Sequence, residues 1–344
     1  MKICVIIGTR PEIIKMSSIM EECQKQNLDY FIIHTGQHYS YNMDGVFRRQ
    51  LGLSPKYNLN VNSDVEYNAI PRMITGINEI LVEEKPDIVL VEGDTSSVLA
   101  GAMAACKLRI AVGHIEAGLR CFDKFMPEEL NRTLVDHCSK ILFTPTDCAK
   151  ENLAHENLNE NVFVVGNTIA DVIKRYAPAA CSNGYMLLTL HRQENVDDAG
   201  RFNSILKGID NVYSYYKMPI IYPIHPRSKK MLDKFGFSAS VNIIEPLDYF
   251  KFLKLLSGAN LVLTDSGGLQ EESCIMGIPC ITLRDNTERP ETINIGANIL
   301  AGVSPNRILE SVKSMFGKNN EWHHPYGDGF SGKRIIEIIR RQHG

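Results

Sequence analysis

No stretch of this chain is apolar for the ~20 residues needed to cross a bilayer, there is no Cys-x-x-Cys pair, and there is no long basic run. The first absence removes a membrane span. The nine cysteines, Cys4, Cys23, Cys106, Cys121, Cys138, Cys148, Cys181, Cys274 and Cys280, are scattered and odd in number, which reads as reduced thiols rather than a disulfide framework. Neither they nor the ten histidines show ligand spacing, so no metal is expected. His34, His38, His137, His155, His323 and His324 have no acidic or cysteine partner at such spacing and read as structural. A net charge of -3 without basic clusters argues against a nucleic-acid partner and makes any anion site local. With a strand-like run at its very start, the chain reads as soluble and cytoplasmic, with no membrane partner. Internal repeats and low-complexity tracts are also absent.

What is present is enough apolar material for two cores: 344 residues, 44% of them hydrophobic. Short β-branched runs alternate with helix-compatible stretches. The first series is Ile3 to Ile7, Tyr30 to His34, Ile88 to Val91, Ile110 to Val112, Ile141 to Phe143 and Val162 to Val165. A second is Met186 to Leu190, Pro219 to Tyr222, Val241 to Ile244, Leu261 to Leu263, Pro279 to Leu283 and Ile299 to Leu300. Continuous apolar strands between amphipathic helices predict parallel sheets covered on both faces. The fold class is therefore α/β, with two doubly wound Rossmann-like domains, 1–168 and 169–332, and a final helix over Lys333 to Gln342. Facing one another, such domains would bring strand C-termini to the walls of one cleft.

The densest signal is Thr264 to Glu272, Thr-Asp-Ser-Gly-Gly-Leu-Gln-Glu-Glu, directly after Leu261-Val262-Leu263. A strand that breaks at Ser266-Gly267-Gly268 into a helix leaves free N–H groups at a positive helix terminus, which suits a phosphate. Glu272, one turn in, is placed to accept both hydroxyls of a ribose. The plain alternative is a glycine turn opening a core helix, with Glu271 and Glu272 solvated.

Other polar clusters fall where strands should end. Gly8-Thr9-Arg10-Pro11-Glu12 follows the first, with Pro11 suited to the first helical position and Lys15 a turn later. Arg10 and Lys15 both suit an anion, although Lys15 also fits an ordinary exposed helix charge. Gly93-Asp94-Thr95 and His114-Ile115-Glu116 place carboxylates past two more strands. Pro127-Glu128-Glu129-Leu130-Asn131-Arg132 opens a helix on which Glu128 and Arg132 share a face, or form a surface pair. In the second half His191 and His225 each end a strand, as acid, base or phosphate donor, or as simple caps. The two arginines of Arg284 to Glu291 suit a diphosphate, or ion pairs with Asp285 and Glu288.

In this order, Gly8 to Lys15 (GTRPEIIK), Gly93 to Thr95 (GDT), His114 to Arg120 (HIEAGLR), Pro127 to Arg132 (PEELNR), His191 to Asn195 (HRQEN), Asp265 to Glu272 (DSGGLQEE) and Arg284 to Glu291 (RDNTERPE) resemble the non-hydrolysing UDP-N-acetylglucosamine 2-epimerase family almost end to end. Hydrolysing relatives typically carry Ala-Asp or Ala-Glu after the first arginine, where this chain has Pro11-Glu12.

The resemblance implies a glycosyltransferase-B architecture with the active site in the interdomain cleft and the C-terminal helix, 333–344, returning to the first domain. It implies a homodimer, a UDP-sugar substrate and no cofactor. The implied chemistry is anti elimination of UDP to a 2-acetamidoglucal, then readdition after protonation of C2 on the other face. Asp94, Glu116 and Glu128 match the family's essential acids, with His191 beside the leaving group. Arg10, Lys15, His191, Ser266, Gly267, Gly268 and Arg289 suit the charge developing on the diphosphate, His225 is a further candidate for substrate binding, Arg132 would orient Glu128, Glu272 would hold the ribose and Phe252 matches the uracil side. Gln37-His38 belongs to the region linked in bacterial members to a second, activating UDP-N-acetylglucosamine. Family members often carry Gln in the segment that here reads Asn68 to Pro71, and Ser or Thr where this chain has Cys121. The motifs leave open UDP-2,3-diacetamido-2,3-dideoxyglucuronate as substrate, whose extra carboxylate calls for a cation such as Arg72, Arg120 or Arg227. A glycosyltransferase of the same fold, or a nucleotide-sugar sensor, are the other readings.

Overall fold

The computed structural model describes residues 1–36, 52–61, 66–179, 181, 183–317 and 321–343, so Gln37 and His38 lie outside the described residues. The chain divides into two compact units, Met1–Val172 with Pro325–Gly344, and Ile173–His324.

The first unit is a seven-stranded parallel sheet in the order β3-β2-β1-β4-β5-β6-β7. Its strands are β1 (Lys2–Ile7), β2 (Asp29–His34), β3 (Tyr57–Asn58), β4 (Ile88–Glu92), β5 (Ala111–Ile115), β6 (Ile141–Thr144) and β7 (Val162–Val164). The helices between them are α1 (Arg10–Lys25), α2 (Glu66–Glu84), α3 (Ser96–Lys107), α4 (Pro127–Cys138), α5 (Asp147–His155) and α6 (Thr168–Tyr176), and the division between units falls within α6.

The second unit repeats the plan with six parallel strands in the order β10-β9-β8-β11-β12-β13. These are β8 (Met186–Thr189), β9 (Ile220–Pro223), β10 (Asn242–Ile244), β11 (Leu261–Thr264), β12 (Cys280–Thr282) and β13 (Asn298–Leu300). With them come α7 (Gln193–Val196), α8 (Ala199–Tyr216), α9 (Pro226–Phe235), α10 (Tyr249–Ser257), α11 (Gly267–Ile275), α12 (Pro290–Asn294) and α13 (Pro305–Met315); α14 (Ser331–His343) belongs to the first unit.

Both sheets thus reverse strand order once, between β1 and β4 and between β8 and β11, and such a switch point is where doubly wound folds bind ligands. The central strands are buried along their length because helices cover both faces, which is why they read as unbroken apolar runs. Val89 and Val91 of β4 pack with Met73 and Ile77 of α2 and Val98 of α3, while Leu188 and Leu263 pack with Phe202 and Ile205 of α8. The edge strand β3 carries no such run, being two half-buried residues, Tyr57 and Asn58.

The last helix closes on the first unit. The Asp171 carboxylate accepts from the Ser331 and Gly332 N–H groups at 2.9 and 2.8 Å, capping α14, and Gly332 lies against Ser18 of α1 so closely that a Cβ there would stand 2.8 Å from the Ser18 backbone. Gly332→Val should therefore push α14 off α1 and cost the first unit about 1–3 kcal/mol, read as a lower urea midpoint; an unchanged midpoint would show that this approach is loose.

Candidate functional site

The loop after β1 is set by its contacts. Gly8 packs onto the Ser97 and Thr35 hydroxyls, themselves 2.7 Å apart, with no room for a Cβ. Pro11 is the second residue of α1, where its fixed φ suits the first turn and its missing N–H wastes no donor; Arg10, half-buried, starts the helix and Lys15 lies a turn later. Glu12 turns back and accepts from Gly8 N–H at 2.6 Å, Thr9 Oγ1 at 2.8 Å and Thr95 Oγ1 at 2.7 Å. Burial pushes its carboxyl up to about 7, against those three hydrogen bonds.

Lys15 is buried, not an exposed helix charge. Its ammonium lies 3.3 Å from Glu92 at the end of β4 and pairs directly with Glu116, which follows β5 and also accepts from Asn167 Nδ2 at 3.3 Å. Glu116 has φ 67°, a left-handed conformation costly for a residue with a Cβ. Two residues on, Gly118 at φ 82° leaves no room for a Cβ against the Ala149 carbonyl. Glu92 is pushed well above the ordinary carboxyl range by burial and by the Glu116 and Glu12 charges, against the pull of Lys15.

Asp94 follows β4 and is held from α4: Arg132 donates through Nε at 3.1 Å and through Nη2 to its carboxylate, and Asn131 Nδ2 donates to its carbonyl at 2.9 Å. The i, i+4 spacing points Arg132 at Glu128; the structure pairs it with Asp94 and, at 2.6 Å, with Glu129. Glu129 also accepts from the Cys121 and Phe122 N–H groups, so it ties the loop bearing Cys121 to α4. Glu128 sits half-buried in the first turn, after Pro127.

In the second unit Asp265 anchors the switch point. Wholly buried after β11, it accepts from His191 N–H at 3.1 Å, Arg192 N–H at 3.0 Å and Asn195 Nδ2 at 3.3 Å, and its Oδ1 faces the His191 ring Nδ1 at 3.1 Å. Burial alone would raise its pKa; the His191 ring and the two amides outweigh that and hold it below the ordinary value. With Nδ1 turned to Asp265, Nε2 is the ring nitrogen left for a ligand. His225 caps α9, accepting from Arg227 N–H at 3.2 Å, and its ring stands 5.8 Å from that of His191, so it is both a cap and a neighbour of the site.

Ser266 caps α11, its hydroxyl accepting from Leu269 N–H at 3.4 Å. The N–H groups of Gly267 and Gly268 fall in the first turn, which offers them no intrahelical acceptor, and a Cβ built on Gly268 would meet nothing within 4 Å. Glu272 is buried one turn in and accepts from Tyr249 OH at 3.0 Å; Glu271 is buried too, so neither is solvated. Phe252 is half-buried on α10. Arg289 is almost wholly buried with its guanidinium on Glu271 and 3.7 Å from Glu288, and Arg284 pairs with Glu288 at 2.9 Å. Both arginines of Arg284 to Glu291 are thus tied into ion pairs.

Sequence reasoning passed over Glu12, Glu92, Glu129, Tyr249 and the anchoring carboxylate of Asp265. Glu92 carried a signal, an acid closing the apolar run Ile88-Val89-Leu90-Val91. Among the described residues no cluster of His, Cys, Asp and Glu is arranged to hold a metal, and no helix is long and apolar enough to cross a membrane. None of the nine cysteines forms a disulfide.

Comparison with known proteins places these features in context. A family model described as UDP-N-acetylglucosamine 2-epimerase matches residues 21–340. The UDP-N-acetylglucosamine 2-epimerase of Methanocaldococcus jannaschii is 49% identical, the alignment covering 98% of this chain and 99% of that one. A crystal structure of the M. jannaschii enzyme in complex with UDP-GlcNAc and UDP matches with a TM-score of 0.94 at 48% identity, covering 99% of this chain and 100% of that one. The UDP-2,3-diacetamido-2,3-dideoxy-D-glucuronate 2-epimerase of Pseudomonas aeruginosa is 40% identical over 99% of this chain and 100% of its own length.

The Glu12 carboxyl yields a prediction about stability. Its folded pKa, about 7, stands above the ~4.3 of an unfolded glutamate. The native state therefore favours the protonated form, and the associated stability is full below pH ~4.3 and lost as pH rises through about 7. Wild type should lose a few kcal/mol (of the order of 3) between pH 5 and 8 that Glu12→Gln, which mimics the neutral form, does not lose. Urea titrations across that window decide it; parallel pH profiles would place the ionised form in the native state.

Proposed function

The chain belongs to the UDP-N-acetylglucosamine 2-epimerase family, and from that premise we propose that it inverts C2 of a UDP-2-acetamido sugar, converting UDP-N-acetylglucosamine to UDP-N-acetylmannosamine. In the first half-reaction a base takes the C2 proton, the C1–O bond breaks with its electron pair going to UDP, and a C1=C2 double bond remains. In the second a proton reaches C2 on the opposite face and the UDP oxygen returns to C1.

The observation that carries this reading is the division of polar groups between two switch points. The second unit holds a nucleotide seat: the first-turn N–H groups of α11 with Ser266, Gly267 and Gly268, His191 set by Asp265, and Glu272 with Tyr249 for a ribose. As UDP leaves, negative charge grows on the diphosphate, and donors fixed in advance stabilise it without reorganising. His225 and the fixed charge of Arg289 belong to the same seat, and Phe252 is assigned to the uracil. The first unit supplies acids, Asp94, Glu116 and Glu128, with Arg10, Lys15 and Arg132 to compensate them. Protons that leave and arrive on opposite faces of C2 need more than one fixed group. A glycosyltransferase has use for the nucleotide seat and none for three such acids.

The relative from P. aeruginosa supports a second substrate, the diacetamido-glucuronate. Two of the cations that could meet its extra carboxylate are already engaged. Arg120 is held at two points by Glu156 and at 2.8 Å by Asp136, and Arg227 at two points by Asp197. Arg72 is exposed and remains open to that carboxylate, and the acetylglucosamine substrate is preferred on the higher identity to the M. jannaschii enzyme, 49% against 40%. The reading includes a cytoplasmic enzyme, and a homodimer as the family resemblance implies.

Asp94→Asn, Glu116→Gln and Glu128→Gln should each lower turnover by about 10²–10⁴-fold while UDP binding, measured by calorimetry, stays as in wild type. Glu272→Ala should do the opposite, weakening UDP. Loss of UDP binding in all three acid variants, with the fold intact, would contradict this division.

A further inference from the structure

His114 lies one residue before the end of β5 in a wholly buried position, and both of its ring nitrogens face oxygen. Nδ1 lies 2.6 Å from Asp136 Oδ1, and Nε2 lies 2.8 Å from the Gly93 carbonyl. A neutral imidazole has one N–H and one lone pair, so it satisfies one of these contacts and opposes a lone pair to oxygen in the other. Only the doubly protonated ring donates to both, and for a wholly buried ring that choice matters.

Charge balance points the same way. Asp136 also pairs with Arg120 at 2.8 Å and accepts from Gly118 N–H at 3.2 Å, and Arg120 in turn holds Glu156, which His137 approaches at 3.4 Å from the exposed side. With His114 cationic, the buried Asp136 is balanced by one ring and shares Arg120 with Glu156. With His114 neutral, both carboxylates depend on the single guanidinium. Burial would raise the Asp136 carboxyl, and the hydrogen bond to the His114 ring and the Arg120 guanidinium help to hold it below its ordinary value.

The Gly93 carbonyl belongs to the peptide leading into Asp94. Gly93 has φ 84°, its N–H donates to the Ile115 carbonyl at 3.1 Å, and the Asp94 carbonyl accepts from Asn131. We propose that His114 is a positioning residue, held as an imidazolium, whose Nε2–H fixes the Gly93–Asp94 peptide and through it the Asp94 carboxylate. Its consequence for turnover rests on the epimerase reading; the ring's protonation does not.

Two measurements test it. Nitrogen-15 NMR of histidine-labelled wild-type protein at pH 7 should show one ring, absent from His114→Gln, with both nitrogens in the protonated state. A lone-pair nitrogen on that ring would overturn the proposal whether or not the protein is active. In the second, His114→Gln sets an amide nitrogen near the place of Nε2 and His114→Asn near that of Nδ1. At equal melting midpoints and equal UDP affinity, the Asn variant should lose about 10–100-fold in kcat and the Gln variant should recover most of it. Equal impairment of the two would remove the Gly93 contact from the account. Should wild type turn over no UDP-acetamido sugar, the functional reading fails, and the NMR result alone then upholds or overturns the imidazolium.

Discussion

Lys15 is an ammonium taken out of water, and the ends of the central strands in the first unit are arranged around that fact. Removing one partner from a buried ion pair costs about 3–5 kcal/mol, so Glu92 and Glu116 are needed where they stand. The pairing joins α1, the end of β4 and the turn after β5, three segments far apart in sequence. Two carboxyls and one ammonium do not balance, and the excess negative charge raises Glu92, with burial as the larger cause. A buried site with more acid than base favours the protonated form of a carboxyl such as Glu92, which leaves a proton there to give. That is the property a C2 epimerase requires.

The second unit solves a different problem with the same strand order. Here one buried carboxylate, Asp265, gathers the chain after β8 against the chain after β11, taking two backbone N–H groups, an asparagine amide and a histidine ring. The result is a histidine with one nitrogen spent on orientation, beside a helix terminus whose first donors are not used internally. Ser266 caps that helix without filling its mouth, and Gly268 adds no side chain there. Capping and ligand chemistry are compatible here, since Ser266 takes the Leu269 N–H and the N–H groups of Gly267 and Gly268 have no acceptor within the helix.

The sheets were legible because strands buried on both faces must be apolar throughout, and two series of such runs mark two doubly wound units. The two-residue edge strand at Tyr57 and Asn58 has no run to betray it. Motif positions marked the polar groups proposed to face the substrate, since glycine, proline and acids cluster where strands end. What supports those groups was not legible. Glu129 rather than its neighbour is buried under Arg132, and nothing in a Glu-Glu pair says which residue turns inward. Arg289 looked like a ligand for phosphate and is tied to Glu271, a contact between distant positions that no spacing rule reports. Gln37 and His38 lie outside the described residues and add nothing to the account.

The central claim is proton exchange at C2 of a UDP-acetamido sugar, and proton NMR of the protein with UDP-N-acetylglucosamine in D2O tests it directly. The account predicts the anomeric signal of UDP-N-acetylmannosamine growing with deuterium at C2, and deuterium entering the remaining UDP-N-acetylglucosamine as the reaction reverses. An epimer formed with its original C2 hydrogen retained would contradict the acids' assigned work. A spectrum that never changes, with UDP still bound, would contradict the choice of substrate.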